Sequence, residues 1–202
     1  MSAPAYTVYG TASSRAARVL WMLEELAQPY EHIAAKPHDA ALLAVNPSGK
    51  VPALSVEGTT ITDSTAIIQF LADRHGALTH KAGTIERARQ DALTHCILDE
   101  FDAVLWAAAR HSFILPKERR VPEVKDSLRW EFERNIAAFS ARMQASDGPF
   151  LTGAQMTVPD ILLTHCGIWA RAAKFTISDE TISAYLQRMM ERPALKRALA
   201  KG

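Results

Sequence analysis

The sequence is poor in cysteine, in net charge and in long apolar runs. Cys96 and Cys166 are its only cysteines, and without a Cys-Xaa-Xaa-Cys motif they imply neither a disulfide framework nor a thiolate zinc site. A net charge of +1 gives no broad basic field for nucleic acid or a membrane surface. No apolar run approaches the length of a membrane span, and the N-terminus lacks the basic-then-apolar pattern of a secretory signal. We therefore expect a cytoplasmic protein.

What is present is an ordinary globular composition. Hydrophobic residues make up 48% of the chain and charged residues 22%, which is typical of a folded globular protein. A length of 202 residues suits one large domain or two small ones with a shared core. His38, His95 and His165 show no metal-ligand spacing, so we expect no metal. The sequence contains no internal repeat and no low-complexity segment.

The first part of the chain alternates strand and helix patterns. Short β-branched or aromatic runs predict strands, apolar residues at helical spacing predict helices, and Glu57-Gly58 between two short strands is a hairpin signal. In the first helix, Glu24 and Glu25 fall on the predicted exposed side. The predicted elements, in order, are a strand at 6–9, a helix with apolar residues at 16–26, a strand at 30–34, a short helix at 38–45, strands at 53–56 and 59–62, and a helix from Ser64 to near Gly76.

Beyond Gly76 every periodic pattern is helical. Two long faces are predicted around Phe101 and Phe132, and Thr157 with Asp160 has the spacing of a capping box at the start of a further helix. We therefore predict three segments: a first domain at 1–77, a linker at 78–83 and an all-helical domain at 84–202.

Two features in the first domain suit a small peptide-like anion. A residue before proline is extended, and a proline in a tight turn can hold a cis bond, so Val51 before Pro52 could offer its N–H and C=O to an extended ligand. Ser64 stands at a predicted helix start, where amide groups and the helix dipole favour a carboxylate, and Asp63 beside it suits an ammonium. Either feature alone is usually only a turn or a cap.

Together, in this order and spacing, the features are specific. Residues 46–54 read Asn-Pro-Ser-Gly-Lys-Val-Pro-Ala-Leu, and residues 63–67 read Asp-Ser-Thr-Ala-Ile. This closely resembles the glutathione-binding half of the glutathione S-transferase family. The resemblance implies an α/β thioredoxin-like N-terminal domain of order βαβαββα, an all-α helical C-terminal domain, glutathione as co-substrate without a metal, a role in detoxification and a homodimer.

The resemblance also assigns roles in glutathione binding. It implies that Val51, before Pro52, pairs with the cysteinyl backbone, and that Asp63 and Ser64 take the γ-glutamyl end. Lys50 would face the glycyl carboxylate, and Thr65 would add a hydroxyl. Asp63 replaces the commoner glutamate, which keeps the charge but shortens the reach.

The reactive group is expected in the loop between the first strand and the first helix. A free thiol has a pKa of about 8.5, so glutathione needs a hydrogen-bond donor at its sulfur to become a thiolate at neutral pH. In the register of the following helix, Ser13 stands where serine-type, bacterial-type members carry this hydroxyl, and Ser14 is the alternative. Either serine could instead only cap the helix. Arg15 is predicted in the first turn of the helix, where its positive charge opposes the helix dipole. Such an unfavourable position suggests that Arg15 meets an anion. The alternative is a surface arginine in solvent.

The electrophile is expected in the helical domain, where Trp106, Arg110, His111 and Phe113 cluster in sequence. An aromatic-rich pocket suits a hydrophobic electrophile, whereas His111 alone is more typical of a helix end. The leading hypothesis is conjugation of glutathione to such a compound. The alternatives are glutathione-dependent reduction of a disulfide or peroxide, isomerisation of a cis double bond, and a binding module without turnover. Isomerases of the family carry a cysteine where this sequence has Arg15.

Overall fold

The computed structural model describes residues 5–144 and 148–201. These residues form two compact units, one drawn from Met1–Ala82 together with Met190–Gly202 and the other from Gly83–Met189. The grouping differs from the predicted segments at the C-terminus, because the last helix is grouped with the first unit.

The first unit contains a four-stranded mixed sheet. Its strands are β1 (Thr7–Tyr9), β2 (Glu31–Ile33), β3 (Ala53–Val56) and β4 (Thr59–Thr62), in the spatial order β2-β1-β3-β4. Strand β1 is parallel to β2 and antiparallel to β3, and β3 pairs antiparallel with β4. The predicted β-α-β unit and hairpin are confirmed. In the hairpin turn Glu57 and Gly58 both have positive φ, at 51° and 74°, as a tight turn of this hand requires.

Within the described residues, the helices of the first unit are α1 (Ala16–Glu25), α2 (Ala40–Leu43), α3 (Ser64–His75) and, near the C-terminus, α9 (Pro193–Leu199). Helix α1 packs against both α3 and α9. All of its first eight residues are buried, including Arg18, because it is covered on more than one side. Helix α3 ends where Gly76 takes a left-handed conformation with φ 61°, the usual glycine stop of a helix.

The end of α1 is held to the C-terminal segment by ion pairs. The Arg192 guanidinium donates to both carboxylate oxygens of Glu25, at 2.6 and 2.7 Å, and Arg197 donates to Glu24 at 2.6 Å. The side chains of Glu24 and Glu25 are only 14% and 10% exposed, so the prediction that they face solvent was wrong. Although burial raises the pKa of Glu24, hydrogen bonds from Arg197 and Tyr30 hold that pKa below its ordinary value.

The second unit is helical. Its helices are α4 (Ile85–Ile97), α5 (Ala103–Ala109), α6 (Val124–Gln144), α7 (Val158–Ala172) and α8 (Glu180–Met190), and π-helical turns follow α4 at Leu98–Asp102 and α5 at Arg110–Ile114. The core contains edge-to-face pairs of Phe101 with Phe132 and with Phe139, with ring centroids 5.6 and 5.4 Å apart. The thioredoxin-like domain and the helical domain predicted from the sequence are thus both present.

The predicted capping box at the start of α7 is confirmed. The buried Asp160 carboxylate accepts hydrogen bonds from the amides of Thr157 at 2.8 Å and Leu151 at 3.0 Å, and from the Tyr185 hydroxyl at 2.6 Å. Burial raises the pKa of Asp160, although these hydrogen bonds act in the opposite direction. One carboxylate therefore joins α7, α8 and the loop before α7.

Candidate functional site

Gly10 brings together the loop that carries the serines and the segment that carries Val51. It follows β1 directly, and its φ of 136° favours glycine. A Cβ at this position would lie 2.7 Å from the Cβ of Ala16 and 3.2 Å from the Cβ of Val51. Because no side chain fits in that space, the start of α1 and Val51 approach each other across the bare backbone of Gly10.

The two loop serines have different hydrogen bonds. The Ser14 hydroxyl donates to the Thr11 carbonyl at 2.7 Å and accepts from the Ala16 amide at 3.1 Å, so it is used within the turn that starts the helix. Ser13 is exposed, and its hydroxyl contacts only the Thr11 hydroxyl, at 3.0 Å, among the described residues. Ser14 therefore acts as a cap, whereas Ser13 presents a hydroxyl to solvent. Arg15 stands at the N-cap position with helical backbone angles.

The Val51–Pro52 peptide bond is cis, which is one conformation that a proline in a tight turn can hold. Val51 is half-buried, and neither its N–H nor its C=O makes a hydrogen bond with the part of the chain that the structure describes. The loop before it is fixed by the buried Asn46, whose amide donates to the Lys50 carbonyl at 2.8 Å and accepts from the Ser48 amide at 3.2 Å. The backbone of Val51 is thus held in place and open for pairing.

Asp63 caps helix α3. One of its carboxylate oxygens accepts from the amides of Thr65 at 2.9 Å and Ala66 at 3.0 Å, so two of the free amides expected at this helix start are already used. The same residue has φ 70° and ψ 121°, a conformation that costs about 1–3 kcal/mol for a residue other than glycine and that occurs mainly at functional sites. The second carboxylate oxygen has no hydrogen-bond partner among the described residues.

Arg18 is a residue of this site that the sequence pattern did not reveal. Its guanidinium donates to the Ser64 hydroxyl oxygen at 3.2 Å, and the two residues are only 1% and 3% exposed. Since arginine is a donor only, the Ser64 oxygen accepts and its own O–H can donate to a ligand. The buried positive charge and the α3 dipole both favour an anion here. The available signal was an arginine within residues 16–23, which are otherwise all apolar.

Lys50 and Thr65 lie at the margins of the same segments. Lys50 is exposed, its carbonyl is bound by Asn46, and its amine has no partner within the described ranges. Thr65 is half-buried in the first turn of α3, where its amide is bound to Asp63. Both side chains are positioned by well-fixed backbone and remain available to a ligand.

The predicted electrophile residues lie in α5 and in the turn that follows it. Trp106 is in α5, whereas Arg110, His111 and Phe113 belong to the π-helical turn Arg110–Ile114. Phe113 is 66% exposed and Trp106 is 36% exposed. His111 has a structural contact, because its Nδ1 accepts from the Val121 amide at 3.0 Å and so fixes the following loop.

Neither cysteine has the environment of a reactive thiolate. Cys166 is buried in α7, and Cys96 is half-buried in α4. Burial raises the pKa of the Cys96 thiol, although Arg142, whose guanidinium lies 3.2 Å from the sulfur, acts in the opposite direction. Any sulfur chemistry at the loop of Ser13 would therefore require a thiol from the ligand.

Residues 5–144 and 148–201 contain no group of three or more His, Cys, Asp or Glu side chains placed to hold a metal ion. No helix there combines the length and the apolar character that crossing a membrane requires.

The protein combines a thioredoxin-like domain, which contains a cis-proline loop, with a helical domain that follows it. This combination is the glutathione transferase fold, and comparison with known proteins supports the same family. A family model described as the N-terminal domain of glutathione S-transferase matches residues 12–74. Glutathione S-transferase GstA of Escherichia coli O157:H7 is 31% identical over 163 residues, which cover 78% of this chain and 76% of GstA. The chain belongs to the glutathione S-transferase family.

Solved structures show the same fold. A glutathione transferase from Methylococcus capsulatus superposes with a TM-score of 0.85 at 26% identity, covering 96% of this chain and 97% of that one. A theta class glutathione S-transferase from Xanthomonas axonopodis pv. citri with glutathione bound has a TM-score of 0.79 at 22% identity, covering 98% of this chain and 99% of that one. The second likeness concerns the fold alone.

Proposed function

We propose that this protein is a serine-type glutathione transferase that binds glutathione, ionises its thiol and conjugates it to a hydrophobic electrophile. The observation that carries the proposal is the approach, across Gly10, of the start of α1 to Val51, whose backbone groups are open for pairing. The exposed Ser13 hydroxyl lies in the loop just before that helix. A peptide strand paired to Val51 would lie beside that hydroxyl. The similarity to glutathione S-transferase GstA of Escherichia coli, which is 31% identical over 163 residues, supports the same ligand here.

Each part of glutathione has a partner of suitable chemistry. The cysteinyl backbone pairs with the N–H and C=O of Val51, next to the cis Pro52. The γ-glutamyl carboxylate accepts from the Ser64 hydroxyl beside the buried Arg18, and the α-ammonium binds the open carboxylate oxygen of Asp63.

Two more side chains complete the proposed binding site. The Lys50 amine pairs with the glycyl carboxylate, and the Thr65 hydroxyl adds a polar contact at the start of α3. Both are supported by their open side chains on fixed backbone.

Thiol activation rests on one hydrogen bond and one helix end. A donor to a charged group contributes about 1.5–3 kcal/mol. One pKa unit corresponds to about 1.36 kcal/mol, so donation from Ser13 lowers the thiol pKa from about 8.5 to about 6.5–7.5. The positive end of α1, and Arg15 at its N-cap, act in the same direction. Ser14 has a separate role, which is to stabilise the turn before α1.

The second substrate is assigned to the helical unit. Trp106 and Phe113 supply exposed aromatic surface, Arg110 supplies a charge for a polarised leaving group, and His111 holds the adjoining loop. We assign glutathione binding to residues 1–77 and electrophile binding to the helical domain after the linker at 78–83, and we propose a cytoplasmic homodimer that acts in detoxification.

The test is turnover of a panel of aryl halides, epoxides and isothiocyanates with glutathione, run beside reduction of a small mixed disulfide. Conjugation of at least one electrophile, and little disulfide reduction, is the expected result. Disulfide reduction without conjugation would indicate a reductase in which glutathione supplies all the sulfur. Tight glutathione binding without turnover in either assay would indicate a binding module.

A further inference from the structure

Thr11 is the one hydroxyl in contact with Ser13 among the described residues. The two oxygens, Thr11 Oγ1 and Ser13 Oγ, lie 3.0 Å apart, and this is the hydrogen bond that each hydroxyl makes. Thr11 is half-buried, whereas Ser13 is exposed. The Thr11 backbone is fixed as well, because its carbonyl accepts from both the amide and the hydroxyl of Ser14, at 3.0 and 2.7 Å.

The direction of this hydrogen bond follows from counting protons. A serine hydroxyl has one proton to donate and lone pairs that accept. When the Ser13 proton is donated to the sulfur of glutathione, it is no longer available to Thr11. The 3.0 Å contact can then persist only if Thr11 donates to the Ser13 oxygen.

We propose that Thr11 is a positioning residue for thiol activation: it donates to Ser13 and thereby aims the Ser13 proton at the glutathione sulfur. The inference rests on the proposed function. A hydroxyl that accepts a hydrogen bond becomes a stronger donor, so the pair acts as a short chain from Thr11 to Ser13 to the thiolate. Without Thr11 the Ser13 side chain is free to rotate away, because it is exposed and its hydroxyl makes no other hydrogen bond with the described part of the chain.

Three variants of the full-length protein separate this role from a packing role. Thr11→Val keeps the shape but removes the hydroxyl, and Thr11→Ser keeps the hydroxyl but removes the methyl group. Thr59→Val makes the same chemical change at an exposed strand position of the same unit and serves as the matched control. Should Thr11→Val not fold by circular dichroism, Thr11→Ala replaces it.

The decisive measurement is the ultraviolet absorbance of the thiolate of bound glutathione, titrated against pH. We expect Thr11→Val to raise the thiol pKa by about half a unit to one unit, the effect of one neutral hydrogen bond. Its kcat/KM should fall by about threefold to tenfold below that pKa and recover above it. Thr11→Ser and Thr59→Val should titrate like the wild type, and calorimetric binding of glutathione at acidic pH should be unchanged in all three.

Other outcomes overturn the inference. An unchanged thiol pKa in Thr11→Val would show that Thr11 takes no part, and equal shifts in Thr11→Val and Thr11→Ser would show a packing role. A thiol that stays protonated in Thr11→Val but ionises normally in Ser13→Ala would make Thr11 the direct donor. If the wild type does not bind glutathione, the proposed function itself fails, and calorimetry shows this before any variant is made.

Discussion

Asp160→Asn tests whether one buried carboxylate joins α7, α8 and the preceding loop. In this variant the amide oxygen can still accept from Leu151 and Tyr185, but the amide nitrogen replaces the oxygen that faces the Thr157 N–H. The backbone N–H of Thr157 and the new side-chain NH₂ group are both donors, and they then face each other. Thr157 is only 1% exposed, so water cannot rescue its amide, although its hydroxyl keeps a partner in Thr152 at 3.0 Å.

The size of the effect follows from these contacts. A buried amide without an acceptor costs about 1–3 kcal/mol, and loss of the negative charge weakens the hydrogen bond from Tyr185 by about 1 kcal/mol. Relief from burying a charge offsets part of this loss. We expect unfolding free energy to fall by about 2–3 kcal/mol and Tm to fall by about 5–10 °C for a protein of this size.

The assay is urea and thermal unfolding followed by circular dichroism, with Asp179→Asn as control. Asp179 makes a similar cap at a less buried position, where its carboxylate accepts from the Ile182 amide at 2.9 Å. Asparagine caps about as well as aspartate there, so the control should change stability by less than about 0.5 kcal/mol. Equal effects of the two substitutions would refute the reasoning, because it attributes the loss to burial and to the bonds from several elements.

Two further predictions concern charged side chains. Arg192→Ala should lower the unfolding free energy by about 1–3 kcal/mol, because it leaves Glu25 partly buried without its bidentate partner, whereas Arg129→Ala, which breaks an exposed pair with Asp126, should lower it by less than about 0.5 kcal/mol. Chemical denaturation measures the unfolding free energy of both variants. Similar losses in the two would show that the Arg192–Glu25 ion pair does not stabilise the protein more than an exposed pair does. Asp63→Asn keeps the helix cap, so we expect unchanged stability but glutathione binding weakened by about tenfold, since the ammonium loses a charged partner. Calorimetry measures this, and unchanged affinity would remove Asp63 from the binding site.

Local sequence signals predicted the first unit well. The hairpin from Ala53 to Thr62 and the end of α3 depend on Gly58 and Gly76, which both have positive φ. Glycines at such positions can be recognised in the sequence. The family could likewise be predicted from a short motif, which also showed that a cis bond before Pro52 was one available conformation. These features are decided by neighbours along the chain.

Features decided by distant residues could not be predicted. Helical periodicity predicted that Glu24 and Glu25 face solvent. Their partners Arg197 and Arg192 lie more than a hundred and sixty residues away in sequence, so no local pattern shows these ion pairs. Arg18 meets Ser64 only when α1 and α3 pack together. The π-helical turn after α4 adds a residue to the helix without any change in apolar pattern.

The choice between the two loop serines depended on hydroxyl geometry. Ser13 and Ser14 are adjacent and chemically identical, so spacing along the sequence cannot separate them. The structure gives Ser14 two hydrogen bonds inside the turn and leaves Ser13 with one hydroxyl contact and an exposed oxygen. This difference supports the assignment of thiol activation to Ser13.

The most direct test of that central claim is the pH titration of the thiolate of glutathione bound to the wild type, Ser13→Ala and Ser14→Ala. We predict a thiol pKa of about 6.5–7.5 in the wild type, a return toward about 8.5 in Ser13→Ala, and no change in Ser14→Ala, which instead loses about 1 kcal/mol of stability as a cap variant. A thiol pKa in Ser13→Ala equal to that of the wild type would contradict the account.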